Sequence, residues 1–322
     1  MASRGMPLDT AAIFSTTMEG ILYGFSVLMF IGTMWALTYR RRVNEIHRPN
    51  VVVACMLLIL STAHMIVDFI RAEQGLVTYR NTFPGGPEAF FADVAQITFM
   101  VKNILYTSQT MLGDGMVIYR CYVVWQSVWV IIVPSLLWFG MAVSGFGAVY
   151  SFSKATSDAG DIFAKSTGPW IMTFYAMTLG SNLSASGSLA YRIWRMECDV
   201  SALRATKSSM MPIVRVLADS AILYSVTLLS TLICFVKANN GQYVVLDMIT
   251  PIISITFYMI IIRIAMKKTT SSHSYLSTVR VANEMARETQ QRYDVKRTPV
   301  EVHITQITHQ DDNDNDTCKS AC

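Results

Sequence analysis

The sequence predicts an all-α polytopic membrane protein: a seven-transmembrane helix bundle with its N-terminus outside and its C-terminus in the cytoplasm. The chain of 322 residues is 52% hydrophobic and 15% charged, whereas soluble domains carry about 25% charged residues. Seven apolar segments are long enough to cross a bilayer, which takes about 20 residues. Lysine and arginine gather at one set of segment ends, as the positive-inside rule requires of cytoplasmic loops.

Arginines, prolines and short loops bound the segments. Arg40, Arg41 and Arg42 end the first, Pro49 opens the second in the favoured first-turn position, and a Pro-Gly-Gly-Pro loop precedes the third. The sixth is the least regular, because it begins beside Arg215 and holds Asp219. The predicted spans are residues 20–39, 51–70, 90–125, 128–150, 170–191, about 216–236 and 244–262.

The distribution of charge sets the orientation and the domains. Fourteen lysines and arginines lie near the predicted inner ends and six near the outer ends, so the N-terminus is expected outside. Residues 1–17 form the extracellular N-terminus, residues 18–266 the transmembrane domain, and residues 267–322 a cytoplasmic, largely disordered tail. None of the six cysteines falls in a predicted extracellular loop, so no disulfide is expected.

The third segment organises the bundle. It carries Gln96, Lys102, Asn103, Gln109 and Asp114, a polar load that a lipid-facing helix does not tolerate. At 100° per residue these side chains, with neighbouring polar ones, fall on two stripes about a quarter to a third of a turn apart. Little circumference remains for lipid, so this helix is expected at the centre.

Ionisable residues inside the spans sort into an outer and an inner tier. Rising ~1.5 Å per residue, Lys102 lies ~27 Å from Arg120, while Asp114 lies only ~9 Å from it. The outer tier comprises His64, Asp68, Lys102 and Asp247, with Asp68 and Asp247 as partners for Lys102. Together with Asn103, these residues are the candidates for a ligand pocket.

Each tier has two interpretations. The outer tier forms either a pocket for a small polar or amphipathic ligand, or buried ion pairs that set helix register. The inner tier, Asp114, Arg120, Arg215 and Asp219, forms either a breakable ionic lock between the third and sixth spans or arginines that only mark the cytoplasmic ends. Neither choice is decided by spacing.

Several kinds of chemistry lack the residues they need. The seventh span holds no lysine for a retinal Schiff base, and His64 is the one histidine within a span, against the several of a seven-helix zinc hydrolase. Nucleophile motifs and Gly-rich phosphate loops are missing. We therefore expect no enzyme, no catalytic residue, no metal and no cofactor.

The end of the third segment, Ile118-Tyr-Arg-Cys-Tyr-Val-Val-Trp125 preceded by Asp114, carries a resemblance. It resembles an expanded family of uncharacterised seven-transmembrane proteins of mushroom-forming (basidiomycete) fungi, in which an acidic-x5-Arg-Cys-aromatic-x2-Trp motif closes the third helix. The resemblance covers about residues 18–266 and implies fold and membrane location. That family looks loosely like G-protein-coupled receptors, although Tyr119 stands where those receptors carry an acid.

These observations favour an orphan seven-helix receptor or sensor in a fungal membrane, expected to be the plasma membrane. Its partners would be the lipid bilayer, a small-molecule ligand outside, and a cytosolic signalling partner at the basic loop 192–215 and the tail; no nucleic acid is expected. The alternatives are a transporter or lipid-handling protein with Lys102 and Asp68 on its pathway, and a structural membrane protein without a ligand.

Overall fold

The computed structural model describes residues 6–38, 48–154, 167–201, 211–237 and 239–295. Within these ranges the side chains of residues 48, 197, 199–201 and 211–217, and of most residues after 265, are not described. The chain forms two units, Met1–Thr269 and Thr270–Cys322, and every site discussed below lies in the first. The predicted arginine stop 40–42, the centre of the basic loop 192–215 and the end of the tail lie outside the described residues.

The described chain is built from helices alone. Seven are long: α1 (Leu8–Thr38), α2 (Arg48–Glu73), α4 (Ile97–Trp125), α5 (Val128–Lys154), α6 (Gly168–Ser201), α7 (Met211–Val236) and α8 (Gly241–Val295). The short helix α3 (Gly86–Ala92) lies between α2 and α4, and a π-helical turn, Gln74–Thr78, extends α2. The protein is therefore an all-α polytopic membrane protein.

Five stretches of these helices are long and apolar enough to cross a bilayer: Leu8–Thr38, Pro49–Thr78, Val128–Lys154, Ala218–Val236 and Gly241–Ala265. Helices α4 and α6 fall short on hydropathy, although their 29 and 34 residues exceed the length that a span needs. Their polar residues lower the hydropathy, so seven spans stay a prediction.

Large apolar side chains cover the outside of the bundle. Trp129 is 83% exposed, and Leu136 and Val143 extend its exposed stripe along α5 at seven-residue spacing. Side chains seven residues apart share one helix face. In a bilayer that face contacts acyl chains, where apolar exposure costs nothing.

Helix α4 occupies the centre, as its polar stripes predict. It packs against α2, α5 and α6, and its Gln109 side chain donates to the Thr250 carbonyl and the Ser254 hydroxyl of α8. Helix α8 is an interior helix as well, because 67% of its apolar stretch is buried, against 17% of the apolar stretch of α1. Hydrophobicity alone does not predict this burial, because the apolar stretch of α8 is about as hydrophobic as a lipid-facing span.

Several helix boundaries differ from the prediction. Helix α8 continues to Val295, so residues 267–295 of the tail predicted to be largely disordered are helical. The first helix begins at Leu8, not at residue 20, and therefore includes residues that the span prediction left outside. The third predicted segment is divided, because Asp93 is extended and α3 precedes the break while α4 follows it. Gly85 and Gly86, with φ of 89° and 73°, let the chain turn into α3, a conformation that favours glycine.

A glycine sets the approach of the two interior helices. A Cβ atom at Gly113 of α4 would lie 2.6 Å from the Ile253 Cγ2 of α8, whereas one at Gly187 of α6 would meet nothing within 4 Å. We expect Gly113→Ala to destabilise the protein by about 1–3 kcal/mol through overpacking. The measurement is thermal melting in detergent beside the control Gly187→Ala, and equal melting of the two variants would contradict this packing.

Candidate functional site

Lys102 of α4 bridges carboxylates from two other helices. Its Nζ lies 2.5 Å from the Asp68 Oδ1 of α2 and 2.7 Å from the Asp247 Oδ1 of α8. The predicted contacts between Lys102 and the two aspartates are thus present. The lysine side chain is 12% exposed and the two aspartates are buried, so these ion pairs lie away from solvent.

Helix α1 completes the circuit through two residues one helical turn apart. His64 Nδ1 of α2 lies 2.7 Å from Glu19 Oε1 and 3.8 Å from Asp68 Oδ2. The Ser15 hydroxyl donates to Asp247 Oδ2. We name this closed set of contacts the ionic ring; it consists of Ser15, Glu19, His64, Asp68, Lys102 and Asp247.

The ionic ring is short of positive charge. With His64 neutral and all three carboxyl groups ionised, the three carboxylates and one ammonium sum to −2, and a proton on Glu19 makes the sum −1. Glu19 Oε2 and Asp68 Oδ2 are buried and have no hydrogen-bond partner among the described residues. Buried charge is stable only when it is paired and hydrogen-bonded, so the ring has room for a further proton or cation.

Arg71 supplies a second cation beside the ring. It is buried, donates to the Phe91 carbonyl, the Gln96 side chain and the Thr98 hydroxyl, and lies 5.0 Å from the centre of the Phe99 ring. Among the described residues, no carboxylate forms an ion pair with it. Its contacts attach the segment around α3 to the end of α2.

Two cavities meet beside the ionic ring. The first, of about 430 Å³ including its open part, is lined by Asp68, Arg71, Lys102 and Asp247 among others; we name it the polar cavity. The second, of about 510 Å³ on the same measure, is the aromatic cavity. Its lining includes Phe99, Tyr106, Phe152, Phe174, Tyr175 and Tyr243. Phe99 and Tyr243 line both cavities, so the two are neighbours.

The predicted pocket residue Asn103 lies apart from the others. It lines the aromatic cavity and donates to the Phe99 carbonyl one turn earlier. Asn103 directly follows Lys102, and the 100° of helical rotation between neighbouring residues carries its side chain away from the ionic ring. The structure thus groups His64, Asp68, Lys102 and Asp247 but not Asn103.

The predicted inner lock is not formed between the described side chains. Asp114 and Arg120 line one cavity of about 470 Å³, but both lie on α4, and six residues of helical rotation set their side chains ~120° apart. The predicted lock joins the third and sixth spans, and among the described side chains no ion pair joins Arg120 to Asp219 of α7. The Arg120 guanidinium lies 4.5 Å from the centre of the Phe257 ring instead. Asp219 is exposed, and the Arg215 side chain lies outside the described residues. The switch role of these four residues stays a prediction.

The motif that closes the third helix joins α4 to α6. Trp125 Nε1 donates to the Ser188 carbonyl, and the Trp125 ring stacks on Tyr191 with centroids 6.4 Å apart. The Arg192 guanidinium lies 5.1 Å from the Trp125 ring centre, and Cys121 is fully buried. The aromatic end of the motif therefore packs helices together at the level of Arg120.

Sequence reasoning missed Glu19, Ser15 and Arg71. Ser15 lies in the predicted extracellular N-terminus and Glu19 just before the predicted start of the first span. Arg71 follows the predicted end of the second span and counts among the outer basic residues. The missed signal was the four-residue spacing of Ser15 and Glu19, which places two polar side chains on one face of a longer helix. Asp9 at the helix start fits that longer helix.

Comparison of the chain with protein-family models, with curated proteins and with solved structures gave no match. The resemblance carried by the motif at the end of α4 therefore stays a prediction. The geometry of the ionic ring and of the cavities beside it is therefore what indicates the function of this protein.

We expect Lys102→Met to destabilise the protein by about 3–5 kcal/mol, because it leaves two buried carboxylates unpaired. Thermal melting in detergent measures the loss, with Lys154→Met as control, since the Lys154 side chain is exposed. Adding Asp68→Asn to Lys102→Met removes one unpaired charge and should recover part of the loss. Additive losses in the double variant would contradict a direct pair.

Proposed function

We propose that the protein is a seven-helix receptor or sensor, located in the plasma membrane with its N-terminus outside. All seven long helices cross the bilayer in this proposal, including the polar helices α4 and α6. The observation that carries it is the position of the ionic ring in the wall of the polar cavity. Asp68, Lys102 and Asp247 line the polar cavity, and the same side chains join α2, α4 and α8.

This position couples binding to helix packing. A ligand group that pairs with Lys102 competes with Asp68 or Asp247 for the same ammonium. Loss of either contact weakens the tie between α4 and one neighbour. A ligand that favours one arrangement of the helices shifts the population towards it by its difference in affinity, which is what a receptor requires.

The two cavities support an amphipathic ligand. The aromatic cavity offers Phe, Tyr and Ile side chains to an apolar body, and the polar cavity offers Lys102 and Arg71 to an anionic or hydrogen-bonding head. Ligand sites are commonly apolar with a few polar groups that fix orientation. Phe99 and Tyr243 line both cavities, and the proposal places the body of one molecule in the aromatic cavity and its head in the polar cavity.

The cytosolic half of the proposal concerns the inner cavity. Arg120 points its two terminal nitrogens into a buried region where the described residues offer them no hydrogen-bond partner. In the proposal a cytosolic partner binds the basic loop 192–215 and the tail, and its binding depends on the position of this end of α4. In this arrangement Asp114, Arg120, Arg215 and Asp219 act as the switch residues.

The experiment fills the aromatic cavity with a larger side chain and leaves every charged residue unchanged. Val149 lines that cavity, whereas Val143 of the same helix is 64% exposed on the lipid side. The protein is purified from native membranes in mild detergent, and retained small molecules are identified by native mass spectrometry. We expect a compound on wild type and Val143→Phe, and its loss by more than tenfold from Val149→Phe.

Melting temperature without ligand serves as the folding control for both valine variants. A compound retained equally by Val149→Phe and wild type would place the ligand elsewhere. Wild type purified with no small molecule, and unchanged in melting when native-membrane lipid extract is added, would contradict a receptor for an amphipathic ligand.

A proton-coupled transporter is the second candidate, and one observation favours it. Glu19, His64, Asp68, Lys102 and Asp247 form a continuous series of contacts, and such series carry protons in pumps and transporters. Proteoliposomes that contain a pH-sensitive dye separate the two functions. Proton flux down an imposed gradient that is lost in Asp68→Asn would favour the transporter, whereas the receptor predicts the flux of protein-free liposomes.

A further inference from the structure

The part of the ionic ring that joins α1 to α2 carries the donor set of a transition-metal site. Glu19, His64 and Asp68 each place one ligand atom so that the three atoms lie within 4.8 Å of one another, and all three residues are buried. Two carboxylate oxygens and an imidazole nitrogen are a set that divalent first-row metals accept. The softer Cu⁺ and the oxygen-seeking Mg²⁺ and Ca²⁺ fit it less well.

A second observation is independent of this clustering. Glu19 is 0% and Asp68 is 3% exposed, and one oxygen of each, Glu19 Oε2 and Asp68 Oδ2, has no hydrogen-bond partner among the described residues. An unsatisfied buried oxygen is costly, more so when charged. Asp68 Oδ2 is also the oxygen that lies 3.8 Å from His64 Nδ1, so it faces the proposed ligand set.

The charge of the ionic ring points the same way. With His64 neutral and all three carboxyl groups ionised, the ring carries −2, and Arg71 beside it reduces the sum to −1. A divalent cation among Glu19, His64 and Asp68 neutralises the ring itself while Lys102 keeps its pair with Asp247. The histidine binds a metal in the neutral form, so the same ion removes the need for a buried imidazolium.

The distances require only a small adjustment. Bonds of ~2.1 Å to a tetrahedral metal place ligand atoms ~3.4 Å apart. His64 Nδ1 is 2.7 Å from Glu19 Oε1 and 3.8 Å from Asp68 Oδ2, which brackets that separation. The two distances therefore differ from it by about 0.7 and 0.4 Å.

We propose that Glu19, His64 and Asp68 form a binding site for one divalent first-row metal ion of the Zn²⁺ class, which ties α1 to α2. The role is structural or regulatory, because the donors are buried. The inference is independent of the receptor proposal: either can hold if the other fails. It also revises the expectation of no metal, which rested on His64 being the one histidine in a span and took no account of Glu19.

The experiment uses the full chain in detergent, stripped with a chelator and titrated with Zn²⁺, with free metal removed before elemental analysis. We expect about one Zn²⁺ per wild-type chain and a higher melting temperature with metal. Glu19→Gln and His64→Gln should each weaken binding by more than about 100-fold, since even a second-shell change costs 10–100-fold. The control Glu88→Gln removes an exposed carboxylate outside the ionic ring and should keep the metal.

Three outcomes would overturn the proposal. The first is a wild-type chain that binds no divalent ion above the detergent blank. The second is a His64→Gln variant that binds as wild type does, which would assign the ion to histidines elsewhere. Melting that responds to pH and not to Zn²⁺ would assign the site to a proton. If both ligand variants fail to fold, X-ray absorption of the Zn²⁺-loaded wild type decides: one imidazole with oxygen ligands supports the site, and sulfur ligands refute it.

Discussion

The fold depends on one lysine that holds two carboxylates from different helices inside an apolar bundle. Removing Lys102 from water is costly, and the cost is offset only while Asp68 and Asp247 stay within bonding distance. The pair therefore fixes the register of α2 and α8 on α4. Through Ser15 and Glu19 the same network fixes α1, so four helices share one buried charge balance.

The apolar packing around this network explains why it can persist. Helix α8 approaches α4 closely because Gly113 leaves room for Ile253, and Tyr258 of α8, itself fully buried, donates its hydroxyl to the Ala54 carbonyl of α2. Lipid cannot supply hydrogen bonds, so polar side chains inside the bundle must find them in the protein. Among the buried oxygens that find no partner in the described chain, those of Glu19 and Asp68 lie at the proposed metal site.

The two halves of α4 differ in kind. Near α3 its polar groups are joined into the ionic ring, with Lys102 at the cavity wall. Near Arg120 no ion pair forms among the described side chains, and the Arg120 guanidinium lies against the Phe257 ring. In the half near α3, a ligand or a proton can replace one partner of an existing ion pair. In the half near Arg120, an unpaired charge is left for a cytosolic partner. The first property suits both a receptor and a proton-coupled transporter.

The sequence by itself determined the membrane class, the seven long helices, the central place of α4 and the pairing of Lys102 with Asp68 and Asp247. Hydropathy, the polar load of one span and helical depth are local quantities, and they suffice for these conclusions. Only the tertiary structure decided that Glu19 and Arg71 belong to the interior, that Asn103 does not join the ring, and that Asp114 and Arg120 stay apart. Those outcomes depend on where each helix begins and how it is rotated against its neighbours, which the packing of α1, α3 and α8 sets and no single segment encodes.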